Sequence, residues 1–204
     1  MATGYLKDLD ERKQACLELA AELKGWRYLL NEGGVLAMQK PGGHSFPLVR
    51  SQTYIHATTK TIADFLAQAS NFPTWDPCCT LCETEEQQPK GGVTLILRRA
   101  RYSLGPEPEL QRAASYVLLR ANYKQGICFM GFSQTEPEET AELPIEFVHF
   151  SFVLEAQGPL TAQCTKVTFL WQAKTEGNLS PESRAALFRT VGECTGRLKA
   201  AVEA

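Results

Sequence analysis

A chain of 204 residues, 44% hydrophobic and 22% charged, is long enough to bury a core without staples and reads as one domain. Its net charge of −2 offers no basic excess for nucleic acid or for an anionic membrane surface. No apolar run reaches the ~18 residues of a membrane-spanning helix, and the first ten residues carry acids around no apolar signal core, unlike a secretory or mitochondrial address.

Residues 5 to 23 predict a helix with Leu9, Cys16, Ala20 and Leu23 on one side and a stop at Gly25. Trp26 to Asn31 and Val35 to Lys40 read as two strands joined by a hairpin turn at Glu32-Gly33-Gly34. A Pro-Gly-Gly turn at 41 to 43 leads into a third strand, Phe46 to Ala57. Thr58 or Thr59 caps a helix to about Ala69, with Ile62, Phe65 and Leu66 on its buried side. Then follows Ser70-Asn71-Phe72-Pro73-Thr74-Trp75-Asp76-Pro77. Two prolines within this stretch forbid a regular helix, and the Trp between them predicts a packed corner.

From there the pattern is β. Strands are expected at Cys79 to Glu85, Val93 to Tyr102, Ser115 to Tyr123, Ile127 to Gln134, Ile145 to Glu155 and Cys164 to Lys174. Ser180 then caps a last helix to about Val202. Pro181 sits at its first position, and Leu187, Val191, Cys194, Leu198 and Val202 form one apolar stripe joined by Phe188. Gly192 and Gly196 interrupt it, either for close approach to a sheet or for a shift of the helix. Nothing alternates as βαβ, so the fold class is α+β with a strongly curved antiparallel sheet. The stripe either roofs a cavity or packs on a solid core.

Seven cysteines without dense spacing are read as reduced, in an intracellular protein. Cys78, Cys79 and Cys82 lack the second ligand pair of a structural zinc site and read as small apolar residues at a strand start, so no metal or other cofactor is expected. No nucleophile, base and orienting acid stand at a readable spacing, so no catalytic residue is assigned and no enzyme is expected.

The element order, with Phe72-Pro73-Thr74-Trp75-Asp76-Pro77 after the second helix, resembles the START domain, the steroidogenic-acute-regulatory-related lipid transfer family. Ser115-Tyr116-Val117-Leu118-Leu119-Arg120, Thr165-Lys166-Val167-Thr168-Phe169-Leu170 and the closing helix carry the rest of the resemblance, which spans essentially the whole chain. It implies a helix-grip fold, a nine-stranded curved sheet wrapped around the C-terminal helix, with one sterol or phospholipid in the tunnel between them. The partners it implies are that lipid and a transient membrane contact, for a cytoplasmic monomer that is peripheral at membranes. A lipid-sensing or regulatory module of a larger protein, with weak or no transfer, is the alternative.

Within that frame Arg120, with Leu118 and Tyr116 on the same strand, is read as a head-group anchor; the bland reading is an edge arginine with a packed stem. The family's usual acid on the fifth strand is missing from Leu95-Ile96-Leu97-Arg98-Arg99, so an inward Arg120 needs a counter-charge such as Glu83 or Glu155. Phe147, His149 and Ser151 share a face under strict alternation, and His149 and Ser151 either supply polar contacts in the pocket or are satisfied core residues. Phe129, Phe169 and Trp171 add aromatic lining, and Leu187, Phe188 and Val191 face the lipid from the last helix. The loop at about 103 to 112 would be the gate, presenting Leu104 and Leu110 to a membrane. Its acids work against an anionic surface.

Overall fold

The computed structural model describes residues 9–42, 46–90, 92–105, 111–133, 143–158, 163–175 and 179–204. Helix α1 (Leu9–Ala21) is followed by strands β1 (Arg27–Glu32), β2 (Val35–Lys40) and β3 (Leu48–Ile55). Helix α2 (Thr59–Ala67), a 3-10 turn (Ala69–Asn71) and the one-turn helix α3 (Phe72–Trp75) come next. Six strands follow: β4 (Cys79–Lys90), β5 (Val93–Ser103), β6 (Gln111–Tyr123), β7 (Gly126–Ser133), β8 (Leu143–Ala156) and β9 (Thr165–Thr175). The chain ends in α4 (Pro181–Glu203).

All nine strands form one sheet in the order β1-β2-β3-β9-β8-β7-β6-β5-β4, and every neighbouring pair is antiparallel. β6 and β8 also touch in a short parallel contact, Arg112 with Leu143 and Ala113 with Pro144. Gly33 and Gly34 both have positive φ, 58° and 77°, as a two-residue hairpin turn between right-twisted strands requires. Thr58 Oγ1 accepts from Thr61 N at 3.1 Å and caps α2, and Ser180 Oγ accepts from Ser183 N at 3.1 Å and caps α4.

The two faces of the sheet bury different partners. The inner face packs under α2, α3 and α4. The outer face packs under α1, where Cys16 and Ala20 meet Leu95, Val117, Leu119, Cys128, Met130 and Val153. Leu23, expected on the buried side of α1, lies beyond the helix end and is exposed. Helix α4 lies close across β1–β3: Ser51 Oγ donates to Gly192 O, and a Cβ at Gly196 would meet Val35 Cγ2 at 2.7 Å. The two glycines are therefore contact points with the sheet.

The expected corner is packed, since Phe72 and Trp75 are both fully buried. It nevertheless contains one helical turn, because Pro73 falls in the first turn, where its missing N–H is not needed. β4 and β6 extend beyond their expected ends, to Lys90 and back to Gln111, because β5 pairs with both along its whole length.

Candidate functional site

The inner face is the candidate site. Alternation along β5 to β9 brings Tyr102, Tyr116, Leu118, Phe129, Phe147, Phe150, Phe152, Phe169 and Trp171 to this side, all buried. Helix α3 sets Phe72 and Trp75 into the middle of them. Phe72 packs on Phe150 with ring centroids 6.1 Å apart, and Trp75 sits edge-on to Phe152 at 5.3 Å and to Phe169 at 5.9 Å. Phe152 and Phe169 stack at 4.6 Å, and Phe147 and Phe150 lie 4.8 Å apart. Leu187, Phe188 and Val191 close the same face from α4, with Phe188 edge-on to Phe46 at 5.9 Å. The rings thus pack edge and face against one another across this side of the sheet.

His149 and Ser151 are not part of this group. A bulge between Phe147 and His149 breaks the alternation, so Phe147 and Phe150 share the inner face. Ser151 pairs with Met130 and Leu170 and is buried on the outer side beneath Cys16; His149 has the same phase. Leu104 is buried in the inner core, and Leu110 lies outside the described residues.

Arg120 is half-buried at the rim. Its Nη1 lies 2.9 Å from Asp64 Oδ1 on α2, so its counter-charge is Asp64, and Glu155 is taken by Lys166 at 3.1 Å. The hydrogen bond from Lys60, with that from Arg120, holds the Asp64 carboxyl below the usual range. Beside this pair a solvent-open pocket of about 500 Å³ lies between α2 and the end of α4, lined by Thr61, Asp64, Phe65, Gln68, Asn71, Ala201 and Val202.

Arg98 is a fully buried cation on the inner face. Arg99 and Arg101 point outward in alternation, which leaves Arg98 in line with Ile96, Ala100 and Tyr102, fully buried. That phase is legible in Leu97-Arg98-Arg99-Ala100-Arg101, where exposed Arg99 and Arg101 set the outward register. Nearby, Cys79 by hydrogen bonding and the Arg98 charge by attraction pull the Cys82 thiol down to about 7. Asp76 of the Trp-Asp-Pro corner is 3% exposed. Its Oδ1 accepts from Cys78 N at 3.1 Å, and burial pushes its carboxyl up to about 7. Among the described residues no three His, Cys, Asp or Glu side chains are placed to hold a metal ion, and no helix is long and apolar enough to cross a membrane.

No family model matches the sequence, and no curated protein matches it. Solved structures do match. The human StAR-related lipid transfer protein 5 superposes with a TM-score of 0.83 at 16% identity, over 100% of this chain and 98% of that one. The chain has the START fold. A STAR-related lipid transfer protein fragment from Xanthomonas axonopodis gives 0.70 at 16% identity, over 89% of this chain and 100% of that one. Human STARD10 gives 0.71 at 13%, over 93% and 78%. At such identities the likeness is one of fold. Within the START fold, Arg98 and the rings around it have to be read from this chain's own geometry.

Proposed function

We propose that this protein binds one lipid, a sterol or a phospholipid, between the inner face of the sheet and α4, and carries it between membranes. The observation that supports this most is the make-up of that face in a START fold: aromatic and aliphatic side chains throughout, with a few buried polar groups, as a lipid site needs. Burial of the ligand's apolar part supplies binding at roughly 0.8 kcal/mol per CH₂. Because Leu187, Phe188 and Val191 lie buried against the inner face, entry requires the loop at 103 to 112 and this stretch of α4 to move off the sheet. That opening happens at a membrane surface, so contact with it is transient and the protein works as a cytoplasmic monomer. No step in this reading makes or breaks a covalent bond.

Native mass spectrometry of the protein purified from cells, joined to a transfer assay between vesicles carrying fluorescent phosphatidylcholine or fluorescent sterol, tests the reading. A one-to-one lipid adduct and transfer above background are expected; an empty protein that moves neither lipid refutes it. The close ring packing, 4.6 Å between Phe152 and Phe169 and 4.8 Å between Phe147 and Phe150, favours a second reading. In it the domain is a lipid-sensing or regulatory module that binds partners with its interior closed.

A further inference from the structure

Arg98 carries an electrostatic cost that the fold leaves unmet. Its side chain is 0% exposed. Nη2 donates to Leu66 O at 3.0 Å and to Ala67 O at 2.7 Å, at the C-terminal end of α2, and the guanidinium lies 4.3 Å over the Phe72 ring. The carbonyls and the ring offset part of the desolvation. Nε and Nη1, however, have no hydrogen-bond partner among the described residues. Of the described ion pairs none involves Arg98; the Arg98 charge favours the thiolate of neighbouring Cys82, which nevertheless fills neither Nε nor Nη1. A buried cation with two unfilled donors is less stable than an apolar side chain of the same size, so packing alone does not account for it.

Two more orphans belong to the same core. Tyr102 Oη and Trp75 Nε1 are buried without partners. Every unmet group in this set can donate a hydrogen bond. Between Arg98 and Tyr102 the floor is low, because Ala100 pairs with Ala114 across β5 and β6. Phe147 spans that gap from above, 5.3 Å from the Tyr102 ring and 5.4 Å from the Tyr116 ring. A turn of Phe147 would open a lane over two alanines from the end of β5 to the guanidinium.

We infer that Arg98 anchors the head group of an anionic amphiphile, whose carboxylate or phosphate oxygens accept from its free N–H groups while the hydrocarbon takes the place of Phe147. This rests on the lipid-binding reading above and narrows its ligand. A quaternary ammonium by itself would place a second cation in the core, so of a phosphatidylcholine head only the phosphate oxygens would meet Arg98. A sterol hydroxyl would bring one neutral oxygen and leave the charge unanswered.

The test uses the delipidated full chain and four probes: oleate, oleoyl lysophosphatidate, oleyl alcohol and cholesterol, followed by native mass spectrometry and tryptophan fluorescence. Oleate and oleyl alcohol share their chain length, so their ratio isolates the head group. At least one of the two anions binds one-to-one and at least tenfold tighter than oleyl alcohol, and the tighter of the two identifies the oxyanion. Arg98→Met erases that ratio, keeps alcohol binding, and melts no lower than the native chain. Equal binding of acid and alcohol, a preference for cholesterol, a ratio that survives Arg98→Met, or loss of folding in Arg98→Met each overturns the assignment and leaves lipid binding standing. Binding of none of the four probes overturns both.

Discussion

Asp76→Asn separates a buried charge from the turn that the same side chain builds. Asp76 Oδ1 accepts from Cys78 N and so shapes the corner between α3 and β4, while burial raises its carboxyl from 3.8 to about 7. Below about pH 4 the folded and unfolded chains both hold the proton, and the group contributes nothing to the balance. Between about pH 4 and 7 the unfolded chain has lost it and the folded chain keeps it, so stability falls as pH rises. Above about pH 7 the folded chain must bury the anion, at a penalty of about 4 kcal/mol from roughly three pKa units at 1.36 kcal/mol each. An Asn keeps the oxygen acceptor and drops the charge, but its buried NH₂ without a partner costs about 1–3 kcal/mol. The variant is therefore expected to be about 1–3 kcal/mol more stable than the native chain at pH 8 and to lose that advantage by pH 4. Urea unfolding at pH 4, 6 and 8, with unchanged m-values, reads this directly. A variant less stable than the native chain at pH 8, or two parallel stability–pH curves, would refute the reasoning.

Gly126 opens β7 where a Cβ would fall 1.8 Å from Leu154 O, on the backbone of the paired strand, which cannot yield as a side chain would. Gly126→Ala is expected to cost about 3 kcal/mol or more in urea unfolding, and a change below 1 kcal/mol would contradict the β7–β8 register. The Arg120–Asp64 pair is 24% and 42% exposed, so a double-mutant cycle of Arg120→Met and Asp64→Asn should return a coupling of about 0.2–1 kcal/mol that fades in 1 M salt. Arg120→Met should also leave the oleate-to-alcohol ratio unchanged; a collapse of that ratio would move the anchor from Arg98 to Arg120.

Features that depend on neighbours in sequence were legible. Ser180-Pro181 and the apolar stripe located α4, Gly33-Gly34 located a hairpin, and Trp75-Asp76-Pro77 located a packed corner, because caps, turns and amphipathic faces are decided within a few residues. The nine strands and their antiparallel order followed from the absence of crossover helices. What failed depended on register or on distant partners. One extra residue at Val148 moved His149 and Ser151 to the outer face, and nothing in Phe147-Val148-His149-Phe150 marks where a bulge falls. The acid that meets Arg120 is Asp64 on α2 and not Glu83 or Glu155 on a strand, because the partner is set by how α2 packs over the sheet. Arg98 was legible in principle, since two outward arginines bracket the phase of β5.

The ring packing also bears on what kind of ligand can bind. A lipid chain entering over Ala100 and Ala114, as proposed above, meets a ring already in place. It displaces Phe147, whose contacts with Tyr102, Tyr116 and Phe150 contribute about 0.5–1.5 kcal/mol each beyond the area they bury. Hydrocarbon is exchanged for ring at similar density, so much of the ~0.8 kcal/mol per CH₂ that a preformed cavity would return is offset by contacts already made. A purely apolar ligand therefore gains little by entering. What the described residues leave unfilled is two donors of Arg98, and a ligand that brings oxygens to them gains where they have no partner. Selectivity should then reside in the head group, with chain length tuning affinity only modestly.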